Sequence, residues 1–512
     1  MPPEVSQVTL SQESEHAMRF RPGAVKRLRA LVVFILLASS FYLIALSAAP
    51  APSGSPPATD ELKLVVALFR HGVRSPSPDF QQEEADKHSR GKWPALADWK
   101  VMPTPSPSPA ECDKGNGWGY LTIHGQNLVQ GLGVYYGKYY RKAAWPNGFK
   151  VYLWADALNQ RTRETAEALK VGFKKGGVPE PSVTVASLKP CTTDPLFHPF
   201  AAGCGTADGA KLKAFATGIN EEWLMWAERT YEPAFRPLYT LLDCSTPDQC
   251  TMPLKWVAGC ADTCVTFSPE CTSPLQWKGR FSYASSAAEA FLLEYANNMD
   301  VGWGKTEATS KMQEMLKLHE FYFDKTDRFL GDNKEPDPDL ASIGGSNLAR
   351  EILDQIDRKA RSNVRTDGYC PHADAESDFV GLIGHDTNLA GVGALLELGW
   401  RFDDPKLPAD TRGLPANDAL PAGALVFELR QRSDRSYHVR VEYVTQSLEQ
   451  MRNGPKAEAF RLAVDGPACV QKQPCEMPLK NFQELVGHKI RREFLSRCTT
   501  EIPSEQTCGS PR

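Results

Sequence analysis

Two arginines flank a histidine directly after an apolar segment, and these residue types suit phosphoryl chemistry. Residues 70–76 have the sequence RHGVRSP, which places Arg70, His71 and Arg74 within five residues. A guanidinium group binds two phosphate oxygens at once and stays charged at any working pH. A neutral imidazole between two such groups could attack phosphorus while the arginines stabilise charge in the transition state. An RHG tripeptide alone is usually a solvated turn, but the full string predicts His71 as a nucleophile.

A second charged segment supplies a candidate for a third phosphate-binding arginine. Residues 156–163 have the sequence DALNQRTR and follow another apolar run. Taken alone, this segment is typical of an ordinary basic helix start. Together with the first motif, it makes Arg161 a candidate phosphate ligand, whereas Arg163, two residues later, would point elsewhere along a helix.

A histidine and an aspartate form the third candidate group, within the sequence GHDTN at residues 384–388. His385 could bind a phosphate oxygen. Asp386 could protonate the departing alkoxide and then deprotonate the water that cleaves a phosphohistidine. The alternative is that Asp386 only caps a helix. The position of the pair between an apolar run and a helix-like segment favours the catalytic interpretation.

Each of these groups directly follows a short apolar run, at residues 64–68, 151–155 and 379–383. Continuous apolar runs of this length are typical of buried strands in a parallel sheet. Ligands of open α/β sheets bind at the carboxyl ends of the strands. The sequence therefore predicts that three distant segments meet at one edge of one sheet.

The chain of 512 residues is too long for one ordinary domain. Residues 207–357 are rich in helix formers with apolar residues at helical spacing, for example over 287–299 and 311–322. We therefore predict an α/β core from residues 60–206 and 358–498, a mainly helical inserted lobe at 207–357, and a flexible tail at 499–512.

The first 59 residues predict export rather than a folded domain. Five basic residues between positions 19 and 29 precede an apolar run at about 30–46, and a Pro-rich linker follows. This order is typical of a signal peptide, cleaved after Ser47, or of an uncleaved anchor with its basic end in the cytoplasm. The 13 cysteines include no CxxC pair, which favours disulfides in an oxidising compartment over zinc sites. The expected location is periplasmic or extracellular, either free or tethered to the membrane.

Composition excludes several functions. A net charge of −4 gives no support for nucleic acid as a partner, and no P-loop or GxSxG motif supports nucleotide or serine acyl chemistry. Nothing in the pattern indicates an oligomeric state.

His124 is expected to approach the site. The remaining histidines are predicted to be surface or structural residues: His16, His88, His198, His319, His372, His438 and His488.

The two signature segments, RHGVRSP and GHDTN, resemble those of the histidine acid phosphatases. The resemblance covers nearly the whole exported chain. Further segments are similar to the branch that holds the bacterial periplasmic glucose-1-phosphatases and 6-phytases: 156–167, 194–199, 303–304, 421–427 and 446–452.

This resemblance implies a three-layer αβα core, like that of phosphoglycerate mutase, with an inserted helical lobe. It implies no metal or other cofactor, and a small phosphorylated metabolite as the partner. The implied disulfides are Cys244–Cys250, Cys469–Cys475 and Cys204–Cys498. The implied site consists of a nucleophile at His71, a proton donor at Asp386, phosphate contacts at Arg70, Arg74, Arg161 and His385, and Glu289 lining the substrate pocket from the lobe.

Two departures from the family pattern bear on the substrate. Pro78 occupies a neighbourhood where phytases of this branch often have a lysine, and His124 stands where they have a basic residue. We therefore expect an acid phosphatase acting on sugar phosphates or similar phosphomonoesters, with phytase activity as the alternative. A mutase-like phosphotransferase is disfavoured by the acidic donor and the export signal. A non-catalytic phosphate-binding surface protein is disfavoured because His71 and Asp386 are both present.

Overall fold

The structure is a computed structural model that describes residues 60–77, 80, 93–103, 116–199, 215, 218, 221–243, 280–305, 311–331, 335–361, 376–472, 474–491 and 495. The apolar run at 30–46, the linker, Pro78 and the predicted tail at 499–512 lie outside this part, as do Cys204, Cys244, Cys250 and Cys498. Among the described helices, none has both the length and the apolar character needed to cross a bilayer.

A ten-stranded mixed sheet forms the centre of the described unit. Its main path runs in the order β3-β2-β4-β1-β6-β7-β10-β9, and β8 joins β7 to β5. Strands β1, β2, β3 and β4 pair in parallel, and the other pairings are antiparallel. The strands are β1 (Glu61–Arg70), β2 (Val151–Ala155), β3 (Val183–Ala186), β4 (Phe379–Gly384), β5 (Gly399–Trp400), β6 (Ala424–Gln431), β7 (Tyr437–Thr445), β8 (Phe460–Asp465), β9 (Gln471–Lys472) and β10 (Cys475–Pro478).

Eleven α-helices accompany this sheet in the described part of the chain. They are α1 (Leu96–Trp99), α2 (Ile123–Ala143), α3 (Gln160–Lys175), α4 (Glu221–Thr230), α5 (Glu232–Leu241), α6 (Arg280–Ala296), α7 (Met312–Thr326), α8 (Pro338–Arg361), α9 (Asp386–Leu395), α10 (Leu448–Asn453) and α11 (Leu479–Lys489).

Strand β1 is apolar on both faces because helices cover both sides of the sheet. Alternate side chains of a strand point to opposite faces. Val65, Ala67 and Phe69 pack into one apolar cluster with residues of α2 and α3. Leu64, Val66 and Leu68 pack into a second cluster with residues of α8 and α9. The two clusters define helix, sheet and helix layers, so the predicted three-layer αβα fold is confirmed.

Helices α2 and α3 approach each other closely because glycines line their contact. A Cβ atom on Gly172 would lie 2.3 Å from the carbonyl oxygen of Gln130, and one on Gly133 would lie 2.6 Å from that of Leu169. No side chain fits at such distances. This contact fixes α3, whose first turn carries Arg161, against the sheet.

Helices α5, α6 and α7 pack together through aromatic side chains. The ring centroids of Phe235 and Phe281 are 5.2 Å apart, and those of Phe281 and Phe321 are 5.0 Å apart. The helical character predicted for 287–299 and 311–322 matches α6 and α7. The boundaries of an inserted lobe at 207–357 stay a prediction.

All three cysteines in the described residues are disulfide-bonded. Cys469 is bonded to Cys475, as the family resemblance implied. Cys191 also forms a disulfide, which was not anticipated.

Candidate active site

The carboxyl ends of β1, β2 and β4 lie side by side, as the three apolar runs predicted. Arg70 pairs with Gly384, and Ala155 pairs with Ile383. Just past the strands, the His71 amide donates to the Gly384 carbonyl at 2.9 Å, and the Asp156 amide donates to the Ile383 carbonyl at 3.0 Å. The parallel register therefore brings the three motifs to a single edge of the sheet.

His71 is held as a neutral imidazole with a defined tautomer. Its Nδ1–H donates to the carbonyl of Gly72 at 2.9 Å, which leaves the lone pair on Nε2. The side chain is 1% exposed. Burial, followed by Arg161, Arg74 and Arg70, lowers the pKa of His71 well below its usual value. The imidazole thus stays unprotonated, and nucleophilic at Nε2, into the acid range.

Three arginines surround His71, and different elements position them. Arg70 ends β1 and donates to the carbonyl of Ala419 at 2.6 Å. Arg74 lies on a segment bridged to Leu121 and donates to the carbonyl of Ser75 at 3.0 Å. Burial and the charge of Arg74 lower the pKa of Arg161 to about 10, so Arg161 remains charged at any pH where a phosphatase works. Arg163 instead donates to the carbonyl of Ala157, consistent with its weaker candidacy.

Two carboxylates lie against these arginines. Glu289, from α6, accepts from Arg70 and, through both oxygens, from Arg74 Nη2 at 3.0 Å. Asp386 Oδ2 lies 2.8 Å from Arg70 Nη2. Burial alone would raise the pKa of each carboxyl, but the arginines outweigh it and hold both values below their usual range. Both carboxylates are therefore ionised, and they occupy arginine donors that a phosphate group would need.

Asp386 does not act as a helix N-cap. It is the first residue of α9, and His385 occupies the capping position. The His385 amide donates to Asn388 Oδ1 at 2.8 Å, and Asp386 Oδ1 accepts from the Thr387 amide at 2.9 Å. Asp386 therefore lies inside the first turn rather than at the N-cap, and its Oδ2 faces Arg70. The catalytic role of Asp386 stays a prediction.

His385 is supported from behind by a buried carboxylate. Its Nε2–H donates to Asp156 Oδ2 at 2.9 Å, and Asp156 is fully buried. His198 Nε2 lies 3.1 Å from the same oxygen. The His71 and His385 rings are 5.5 Å apart between centroids. Asp156 and His198 are thus parts of the site to which sequence analysis had given no role.

Two other histidines occupy positions that bear on their sequence-based interpretation. His319, on α7, was predicted to be a surface or structural residue, and one of its ring nitrogens lies within 4.8 Å of carboxylate oxygens of Glu289 and Asp386. Its Nδ1 is 3.0 Å from Ser285 Oγ. His124 was expected to approach the site, but its Nε2 bonds the carbonyl of Met451 at 2.7 Å.

Two groups of side chains in the site contain nitrogen and oxygen atoms that could also bind a divalent metal. One consists of Asp156, His198 and His385, and the other of Glu289, His319 and Asp386. In the second cluster, Arg70 contacts both carboxylates, so positive charge already stands where a cation would bind. In the first, the Asp156 carboxylate is already shared by two imidazoles. The predicted absence of a metal cofactor remains a prediction.

A neutral, buried imidazole among three arginines, at the carboxyl edge of a mixed sheet, is the arrangement of a phosphoryl-transfer enzyme. The sequence also matches the family model of the histidine phosphatase superfamily (branch 2) over residues 61–207 and 240–444. The chain belongs to this superfamily, which confirms the resemblance drawn from its motifs. It is a phosphoric monoester hydrolase of the histidine acid phosphatase type.

Proteins similar to this chain include bacterial phytases. Phytase AppA of Escherichia coli (strain K12) is 28% identical over 407 residues, which are 77% of this chain and 83% of that protein. The structure of Hafnia alvei phytase in complex with myo-inositol hexakis sulphate is 26% identical, with a TM-score of 0.66, covering 86% of this chain and all of that one. The phytase from Citrobacter braakii is 25% identical, with a TM-score of 0.65, covering 85% and 99%.

Proposed function

We propose that the protein hydrolyses small phosphomonoesters through a phosphohistidine on His71. Nε2 of His71 attacks phosphorus, the bond to the ester oxygen breaks, and Asp386 supplies the proton that the leaving oxygen takes up. A water molecule then attacks the phosphohistidine and gives its proton to Asp386. The N–P bond breaks, and inorganic phosphate leaves.

The observation that carries this proposal is the state of His71. Its Nδ1–H is committed to the Gly72 carbonyl, so Nε2 is the nucleophilic nitrogen. Arg70, Arg74 and Arg161 all act electrostatically on this ring, and all three would bind the phosphate oxygens. Such an arrangement stabilises the charge that develops on the transferring group.

Asp386 must gain a proton before it can act as the donor. Its carboxyl is ionised because Arg70 lies beside it, although burial opposes this. A bound phosphate dianion would take over the Arg70 and Arg74 donors and add negative charge next to Asp386. Both changes raise the affinity of Asp386 for a proton. Substrate binding therefore prepares the acid that the first step requires.

Activity is expected to peak below pH 7. The depressed pKa of His71 keeps the nucleophile neutral in acid, so activity is retained as the pH falls. The proton on Asp386 is lost as the pH rises, because its pKa is held low by Arg70. Rates of phosphate release from pH 3 to 9 would check this, and a maximum clearly above neutrality would rule out Asp386 as the donor.

The Glu289→Gln variant is expected to bind inorganic phosphate more tightly than the native protein. Glu289 is ionised and occupies Arg70 and Arg74, so phosphate binding must displace a like charge. Removing that charge should lower the inhibition constant of phosphate at pH 7 by roughly threefold to tenfold.

The matched control for this measurement is Glu294→Gln, on the same helix. Glu294 is also buried, and burial raises its pKa to about 8, so it is already neutral at pH 7. It accepts from the Gly302 amide at 2.9 Å, which glutamine can also do. Weaker phosphate inhibition in Glu289→Gln than in this control would contradict the idea that Glu289 and phosphate compete for Arg70 and Arg74.

Sugar phosphates and similar monoesters are the proposed substrates, and phytate is the second candidate. The second candidate is supported by the phytase relatives described above. The Nε2–H of His124 is engaged by the Met451 carbonyl, so this nitrogen is not free to donate to a polyanion in this arrangement. Initial rates on an aryl phosphate, glucose phosphates and phytate would separate the candidates. We expect comparable or higher kcat/KM for the monoesters, whereas a strong preference for phytate would reverse the order.

We also propose that the folded part of the chain is exported from the cytoplasm. It is supported by the Cys469–Cys475 disulfide and by the disulfide at Cys191, because such bonds persist in oxidising compartments. A small phosphorylated metabolite is the proposed partner. Sequencing the N-terminus of the protein recovered from cells would distinguish cleavage after Ser47 from an uncleaved membrane anchor.

A further inference from the structure

One carboxylate oxygen in the site is shared by two histidines. Oδ2 of Asp156 lies 2.9 Å from Nε2 of His385 and 3.1 Å from Nε2 of His198. The two rings are 5.2 Å apart between centroids. Asp156 is fully buried, and it also accepts from the Leu158 amide at 3.1 Å and from Asn159 Nδ2 at 3.2 Å. Its charge acts strongly on both imidazoles because burial reduces screening by solvent.

A turn held by several hydrogen bonds places His198 next to this carboxylate. Its amide donates to the Asp194 carbonyl at 2.8 Å, and the Asp194 side chain accepts from the Leu196 amide and from Trp154 Nε1, both at 2.9 Å. Trp154 is on β2, directly before the site segment that contains Asp156. The turn is therefore anchored to the same strand as the carboxylate. Within the described residues, His198 Nε2 makes no hydrogen bond, and its 3.1 Å contact with Asp156 is an ion pair when the ring is protonated.

We infer that His198 is a positioning residue that controls, through Asp156, whether His385 carries a proton when phosphate binds. This inference rests on the proposed function, in which His385 contacts a phosphate oxygen.

The chemistry of the His385 ring requires such control. Nε2–H is committed to Asp156, so only Nδ1 can meet a phosphate oxygen. An imidazole donates from both nitrogens only when it is protonated. The negative charge of Asp156 favours the protonated ring, whereas positive charge on His198, on the same oxygen, opposes it.

The groups that surround the two rings shift their pKa values in opposite directions, down for His385 and up for His198. Burial lowers the pKa of His385 to about 4, with Asp156 opposing this and Arg161 and His198 adding to it. Burial would also lower the pKa of His198, but Asp156 and Asp194 outweigh it and raise the value. In the free site, His198 therefore takes up a proton before His385 does. A phosphate dianion beside His385 would supply the negative charge that lets the second ring take up a proton too.

The test compares pH profiles of His198→Gln and Asp156→Asn with that of the native protein. His198→Gln removes the competing positive charge, so the pKa of His385 should rise. The descending limb of phosphate inhibition, which follows the His385 proton, should then move up by about half a pH unit. Asp156→Asn removes the counter-ion, so the limb should move down, and phosphate should bind about tenfold more weakly. A merely structural role would change activity without moving the limb.

Controls separate this inference from loss of fold and from failure of the proposed function. His488→Gln, on the exposed side of α11, should leave the profile unchanged. His198→Asn provides a second neutral variant if the glutamine disturbs folding, which circular dichroism and the melting temperature would show. Phosphate binding measured by calorimetry in a His71→Ala background reports on His385 without turnover, so it tests the inference even if the catalytic proposal fails. A limb that stays in place in both folded neutral variants would overturn the inference.

Discussion

Replacing His71 by alanine should reduce phosphate release from every substrate by at least about 10⁴-fold. The loss is expected because the covalent route is closed without Nε2, while the Glu289 and Asp386 carboxylates are held in contacts with Arg70 and Arg74. Turnover of an aryl phosphate at acid pH, with EDTA present, would measure it. Activity of the native protein should survive EDTA.

His124→Gln is the matched control for this change. The sequence predicted that His124 approaches the site, but its imidazole bonds the Met451 carbonyl. This variant should keep nearly native activity. If His71→Ala remained fully active while folded, catalysis would have to reside in a different site.

The Asp386→Asn variant should separate substrates by their leaving groups. An asparagine cannot protonate a departing alkoxide, so kcat for a sugar phosphate should fall by roughly 10²- to 10⁴-fold. An aryl phosphate releases a weakly basic phenolate, which needs less help from an acid, so its first step should fall much less. A pre-steady-state burst of phenolate should then appear, because Asp386 is also required to activate water in the second step.

Asp434→Asn is a suitable control for this variant, since Asp434 lies in a surface turn and bonds Ser436. An equal loss of activity on both substrate types in Asp386→Asn would contradict the donor role. It would assign the carboxylate to positioning Arg70, which it contacts at 2.8 Å.

Much of the fold and the reacting groups could be predicted because both follow from one local pattern. A buried parallel strand needs a continuous apolar run, and ligand-binding residues come directly after such strands. Residues 64–68, 151–155 and 379–383 have this pattern, and the structure brings Arg70, His71, Arg161, His385 and Asp386 to the same edge. The antiparallel half of the sheet, from β5 to β10, carried no comparable motif and was not foreseen.

The residues that no local sequence pattern indicated act through contacts distant in sequence. Glu289 reaches Arg74 across 215 positions, and only the family resemblance indicated it. His198 follows a turn rather than an apolar strand, so no local pattern linked it to Asp156. His319 lies on the buried face of α7, where a histidine is usually a structural residue. In each case the charge partner, and hence the role, is defined only by tertiary packing.

The most direct test of the account is to look for phosphate on His71. A slow-turnover aryl phosphate would be mixed with the native protein at acid pH, the reaction quenched in alkali, and the digested protein analysed by mass spectrometry. The account predicts a phosphohistidine at Nε2 of His71, and its accumulation in Asp386→Asn. Phosphate on another residue, or rapid turnover with no covalent intermediate in either protein, would contradict it.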